Sequence, residues 1–207
     1  HGVADIAFPA LSAGKKCFPK KKAAETAAEY HLGGYLMFAD YFEKKDPQQV
    51  KEDIATCQAA QKIPMLMAVD EEGGSVSRIG SNPAMGVTHY EAAAVYGEQH
   101  TTSDVYQVGK DLAIQLSELG FNLDFAPVAD VKTNAYNTEI GDRSFGSNPE
   151  VVAKLVKQVV YGIQDQGISA TLKHFPGHGS TAEDSHEKPV NADSDLLDLR
   201  SKEFKPF

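Results

Sequence analysis

Four apolar runs, separated by helix-forming stretches, constrain this chain more than any other feature. Tyr35-Leu36-Met37-Phe38 is uninterrupted, residues 64–70 close on Asp70, residues 123–130 close on Asp130, and residues 168–172 run into Lys173 and His174. A strand that is apolar along its length must bury both faces, which happens where helices cover both sides of a parallel sheet. No Gly-x-Gly-x-x-Gly fingerprint follows the first strand, which disfavours a dinucleotide-binding fold. Asp70, Asp130, Lys173 and His174 all fall at C-terminal ends of runs, the catalytic face of a (β/α)8 barrel. The expected fold is therefore α/β, of the (β/α)8 barrel type. A complete barrel takes about 250 residues, so a chain that stops at Phe207 holds about five N-terminal β/α units of one domain.

Local signals fill in the rest. Residues 4–11 give a weaker first strand, because Pro9 lacks a ladder donor. Residues 23–32, rich in Ala and Glu, predict a helix stopped by Gly33-Gly34. Asp46-Pro47-Gln48-Gln49 combines an N-cap, a proline at the first helical position and a capping-box glutamine, with Val50, Ile54 and Cys57 following at helical spacing. A Glu-Glu-Gly-Gly loop at 71–74 leads to a helix over 90–99. A stronger helix over 103–119 aligns Val105, Val108, Leu112, Leu116 and Leu119, and Gly120 stops it. After a long loop carrying Arg143, Asn148-Pro149 caps a helix whose Val151, Val152, Leu155, Val159 and Ile163 face inward. Residues 194–204 predict a last helix.

A net charge of −9 argues against nucleic acid, whose phosphates demand a basic face. The one basic cluster, Lys15, Lys16, Lys20, Lys21 and Lys22, reads as solvated surface, with contact to an anionic wall polymer or membrane as the alternative. No apolar run approaches the roughly 18 residues of a membrane span. Cys17 and Cys57 fit no metal spacing and read as free thiols. The chain shows no signal-peptide pattern, and its opening on His1 suggests that a true N-terminus has been removed. The compartment stays open between the cytoplasm and the cell envelope or exterior.

Chemistry concentrates in residues 173–186, Lys-His-Phe-Pro-Gly-His-Gly-Ser-Thr-Ala-Glu-Asp-Ser-His. Pro176, Gly177 and Gly179 exclude a helix there, so a buried strand delivers a polar loop. This stretch resembles the signature of the β-N-acetylglucosaminidases of glycoside hydrolase family 3. Two further matches occur upstream in the family's order: Asp70-Glu71-Glu72-Gly73-Gly74-Ser75-Val76-Ser77-Arg78 and Ile140-Gly141-Asp142-Arg143-Ser144-Phe145-Gly146. The resemblance runs from about Tyr30 to the end. Ser75 and Ser180 depart from it, standing where many relatives carry arginine and aspartate.

The resemblance implies the N-terminal part of a barrel of a retaining hydrolase that removes terminal non-reducing β-N-acetylglucosamine from cell-wall or chitin-type saccharides, with neither cofactor nor metal. It implies His186 as acid/base, supported by Asp184, and a nucleophilic aspartate beyond Phe207. Asp70, Arg78, Arg143, Lys173 and His174 match positions that hold the sugar hydroxyls. An imidazole titrates near pH ~6.5, and a neighbouring carboxylate favours its charged form and fixes the working tautomer. Other readings of the same residues are an ion pair of Arg143 with Asp142 or Asp130, and Asp70 as a helix cap. His178, between two glycines, predicts a loop-stabilising hydrogen bond.

Alternatives at the level of function are a β-glucosidase-type family 3 hydrolase, a metal-dependent barrel hydrolase using His174, His178 and Asp130, and a non-catalytic sugar-binding fragment. Pro176 and Gly177 argue against the metal set, since they deny the histidines a common helical face. An open run of parallel strands leaves unpaired backbone at its edge, so residues 1–207 alone are not expected to form a stable, active monomer. Should they do so, Asp130 becomes the first candidate nucleophile. The sequence leaves the oligomeric state open.

Overall fold

The computed structural model describes residues 20–99, 101–181 and 195–207. The strand expected at residues 4–11, Lys15, Lys16, Cys17, and the Asp184–His186 pair lie outside them. A four-stranded parallel sheet forms the centre, in the order β1 (Gly34–Met37), β2 (Leu66–Val69), β5 (Leu123–Asp124), β6 (Ser169–Ala170). Gly34 pairs with Leu66 and Met37 with Val69, and Leu123 lies between Ala68 and Ser169. Met67, Ala68 and Val69 are consecutive and all fully buried, as a strand covered on both faces requires. Helix α1 (Lys20–Tyr30) leads into β1, and α3 (Pro47–Gln58), α5 (Thr102–Leu119) and α6 (Pro149–Gln164) connect successive strands of the sheet, with short α2 (Ala39–Phe42) and α4 (Ala93–Gln99) among them. The architecture is the expected α/β barrel type.

The helices form where their caps and apolar spacing dictate. Asp46 accepts the Gln49 amide at 2.8 Å and the Gln49 side chain accepts the Asp46 amide at 3.0 Å, completing the capping box of α3. Val50, Ile54 and Cys57 then pack with Met37, Met67 and Leu116 in one half of the core. The other half joins Val105 and Ala113 of α5 to Val152, Leu155, Val159 and Ile163 of α6, beneath Ala129, Val131 and Ile168. Val108 and Val151 are only half-buried. Gly109 and Gly162 let α5 and α6 touch backbone to backbone: a Cβ on Gly109 would stand 2.6 Å from the Val159 carbonyl oxygen.

Several elements depart from the sequence expectations, each for a local reason. Helix α1 ends at Tyr30, and His31, not the glycines, takes the left-handed conformation at φ 52°. Residues 71–74 are part of an antiparallel hairpin, β3 (Glu71–Gly73) with β4 (Val76–Ser77). The buried Glu71 carboxylate folds it back by accepting the Ser77 hydroxyl and the amides of Ile79 and Gly80. Helix α4 starts at Ala93 because Tyr90 and Glu91 lie against the hairpin turn, with the Tyr90 carbonyl accepting the Gly74 amide at 2.9 Å. The run 123–130 is a strand only over its first two residues, since Pro127 cannot donate to the ladder. Pairing resumes at the Val128–Lys173 bridge. The last helix, α7 (Leu196–Ser201), is shorter than expected, capped by Asp195.

Lys21 and Lys22 are exposed on α1, and Lys21 faces Glu25 at 3.8 Å, as a solvated surface predicts. Cys57 is a buried free thiol. Burial pushes its pKa up to about 11, with the Asp53 charge adding to the effect. No helix among the described residues is long and apolar enough to cross a membrane.

Candidate active site

The C-terminal ends of β2, β5 and β6 bring residues distant in sequence into one network. Alternation along Asp70, Glu71 and Glu72 turns Glu71 into the hairpin and leaves Asp70 and Glu72 on the other side. Lys173 Nζ lies 2.7 Å from Asp70 Oδ1 and 2.5 Å from Glu72 Oε1. Glu72 also receives the fork of Arg143, with Nε and Nη2 each 2.9 Å from its two oxygens. Arg143 Nη1 reaches the Glu139 carbonyl at 3.2 Å, and Nη2 stands 3.4 Å from His174 Nε2. A planar guanidinium facing both oxygens of one carboxylate is the geometry that fixes direction as well as charge.

Asp130 anchors the other side. It is fully buried, and its Oδ2 accepts the His174 amide at 3.1 Å and faces His174 Nδ1 at 2.6 Å, while Oδ1 accepts the His178 amide at 2.7 Å. A carboxylate accepts, so Nδ1 of His174 carries the ring proton and Nε2 is left as an acceptor beside Arg143. The His174 side chain remains 38% exposed, which leaves it open to a ligand. His178 makes the loop contact expected of it, with Nδ1 2.9 Å from Thr181 Oγ1 and its carbonyl accepting from the Asn137 side-chain Nδ2 at 2.7 Å.

The electrostatics follow from burial. Burial alone would lower the Arg143 pKa, but the Glu72 hydrogen bonds and the charges of Glu72, Glu139 and Asp130 outweigh it and hold it above the ordinary arginine value. Asp124 is fully buried below the network. Its Oδ1 accepts the Glu71 amide at 3.0 Å, and its Oδ2 has no hydrogen-bond partner among the described residues. Burial pushes its pKa well above the carboxylate range, the Glu71 and Asp70 charges add to this, and the amide and Lys173 oppose it.

Of the site residues expected from sequence, Asp70, Arg143, Lys173 and His174 meet in this network. Arg78 makes no ion pair in it, and its Nε is buried without a hydrogen-bond partner among the described residues. Asp70 caps no helix, and Arg143 pairs with Glu72 rather than with Asp142 or Asp130. Glu72, which bridges both cations, was not singled out in the sequence, although its spacing of two from Asp70 is the signal of a shared strand face. Asp130, named from the sequence as a fallback nucleophile and as part of the rival metal set, is here turned to His174 and His178, which both of its oxygens contact. No group of three or more His, Cys, Asp or Glu side chains among the described residues is placed to hold a metal ion.

Comparison with known proteins gives the family and the fold. The family model of the glycosyl hydrolase family 3 N terminal domain matches residues 7–207. The chain is 36% identical to the β-hexosaminidase LpqI of Mycobacterium tuberculosis, over 89% of this chain and 46% of the relative. It is 35% identical to β-hexosaminidase A of Pseudoalteromonas piscicida, over 89% of this chain and 31% of that protein. Among solved structures, a family 3 β-N-acetylglucosaminidase from a Paenibacillus species superposes with a TM-score of 0.82 at 34% identity, covering 89% of this chain and 35% of its own. NagZ from Neisseria gonorrhoeae gives 0.77 at 33% identity, covering 84% and 51%. The chain thus spans between about a third and a half of these relatives. With a matching family model over nearly its whole length and the same fold in these neighbours, the chain belongs to the glycosyl hydrolase family 3 N-terminal domain family.

Proposed function

We propose that this chain is the N-terminal part, residues 1–207, of the catalytic barrel of a retaining hydrolase acting on terminal, non-reducing β-linked N-acetylglucosamine. The observation that carries the reading is the network Asp70–Lys173–Glu72–Arg143–His174–Asp130 at the strand C-termini. Sugar hydroxyls both donate and accept, so a ring of fixed carboxylates and cations with one half-exposed histidine holds each in a set direction. Arg78, with a buried Nε lacking a partner, supplies a further donor. The relatives' names point to the same substrate class, and NagZ of Neisseria gonorrhoeae has been solved in complex with N-trifluoroacetyl-D-glucosamine.

In this reading His186 protonates the leaving oxygen and then activates water, with Asp184 supporting its charged form, while an aspartate beyond Phe207 attacks the anomeric carbon. The roles of Asp184 and His186 rest on their place in the motif. The test is an assay of the full-length protein on aryl β-N-acetylglucosaminide and aryl β-glucoside. A preference for the N-acetylated substrate, with retained anomeric configuration, supports the reading. Preference for the glucoside moves the protein to the β-glucosidase alternative.

A further inference from the structure

Beneath the loop that carries His174 lies a carboxyl with no evident task. Glu203 follows α7 and is 2% exposed, yet neither of its carboxyl oxygens has a hydrogen-bond partner among the described residues. It points at the loop 174–181: a Cβ on Gly177 would stand 2.5 Å from Glu203 Oε2 and 2.7 Å from Glu203 Cβ. The Ser180 hydroxyl, also buried and without a partner, and the Val131 amide face it without reaching hydrogen-bond geometry. The next residue takes part in the same contact, since Phe204 stacks on Phe175 with ring centroids 5.5 Å apart, and Phe207 meets Phe175 edge-on at 5.4 Å. The C-terminal turn therefore grips this loop at two points, Gly177 and Phe175.

We propose that Glu203 is a positioning residue of the saccharide site, a buried carboxyl that props the loop 174–181 and must stay uncharged for that loop to keep its place. The charged groups around it favour the neutral form. Asp130 acts on it from the sheet side and repels a negative charge. Lys202 is the cation acting on it, but that side chain is half-exposed and faces Asp198 at 3.1 Å. His178 belongs to the same loop, with its amide on Asp130. A carboxylate buried without hydrogen bonds or a dedicated cation is costly, which favours the uncharged form. Burial raises the Glu203 pKa from its ordinary value, Asp130 adds to this, and Ser180, Val131 and Lys202 oppose it. Ionisation would push Glu203 away from Asp130 and loosen the strap that holds His174 and His178.

The inference rests on the saccharide-site reading, and its test separates the two. In full-length protein, Glu203→Gln keeps the shape and removes the charge, so its KM for an aryl N-acetylglucosaminide should match wild type at acidic pH. On the alkaline side the wild-type KM should rise, and the kcat/KM ratio of variant to wild type should grow by up to about tenfold per pH unit above the Glu203 ionisation. Glu203→Ala, which removes the prop, should raise KM at every pH, and the glutamine restores it. A ratio that stays constant with pH, or a glutamine variant as impaired as the alanine one, overturns the proposal. Should the protein not turn over N-acetylglucosaminides, the substrate reading falls while thermal melting still decides on Glu203. Because the folded pKa is raised, the carboxyl's stabilisation is full below the ordinary carboxylate range and lost as pH rises. Wild type should therefore melt progressively lower than Glu203→Gln with rising pH, and melting curves that shift in parallel refute the role.

Discussion

Replacing Glu72 by alanine removes one carboxylate from between two mostly buried cations, and the structure sets the size of the effect. Its side chain is 5% exposed, and it binds Lys173 at 2.5 Å and Arg143 through two bonds of 2.9 Å. Removing one partner of a buried ion pair costs about 3–5 kcal/mol, because the other charge is left uncompensated. Here Lys173 keeps Asp70 at 2.7 Å and Arg143 keeps the Glu139 carbonyl, which places the loss at the lower end, about 3 kcal/mol. For a domain of 150–250 residues this corresponds to a fall in Tm of about 6–12 °C. Glu139 supplies the internal control. Its carboxylate stands 3.7 Å from Arg143 and is one-third exposed, so Glu139→Ala should cost less than about 1 kcal/mol. Scanning calorimetry of both variants in the full-length protein checks the comparison. If Glu72→Ala moves Tm no further than Glu139→Ala, Glu72 does not hold the network together.

Three other outcomes are expected, the first from the motif and the other two from the geometry. His186→Ala should reduce turnover on poor leaving groups by about 10²–10⁴-fold and scarcely affect an acidic phenol; equal losses on both would remove His186 as the acid. Gly162→Ala should destabilise the protein by about 1–3 kcal/mol, since its Cβ would overlap the Tyr106 carbonyl and stand 2.7 Å from the Lys110 amide; an unchanged urea midpoint would show that α5 and α6 separate freely. Asp124 has a raised pKa in the fold, so its contribution is full below the ordinary carboxylate range and lost as pH rises through the raised value. Asp124→Asn should accordingly lose less stability than wild type across that rise, and identical pH–Tm slopes would contradict it.

What could be read in advance was local. The capping box of α3 and the asparagine cap of α6 need only neighbouring residues, and both form as the sequence indicates. The buried runs at Met37 and Val69 announced a parallel sheet because no polar residue interrupts them. The site was legible only as separate members. Arg143 and Glu72 are 71 residues apart, and Asp130 and His174 are 44 apart, so partner choice depends on how the strands stack. That is why Asp70 was open to a capping role and Arg143 to the wrong acids. Pro127 shows a second limit of pattern: an apolar run signals burial, not ladder pairing, and a proline inside it ends the regular strand. The hairpin was hidden because Glu71 reads as a polar loop residue until its hydrogen bonds to Ser77, Ile79 and Gly80 are seen.

The central claim is that the network at the strand ends is where the sugar ring sits. A crystal structure of the full-length protein with N-acetylglucosamine tests it most directly. The ring hydroxyls should lie within hydrogen-bond distance of Asp70, Lys173 and His174, with Arg143 still forked on Glu72 and the His174 ring still on Asp130. A sugar bound away from these residues, or one seated here only after the Glu72 and Asp130 contacts have broken, would contradict the account.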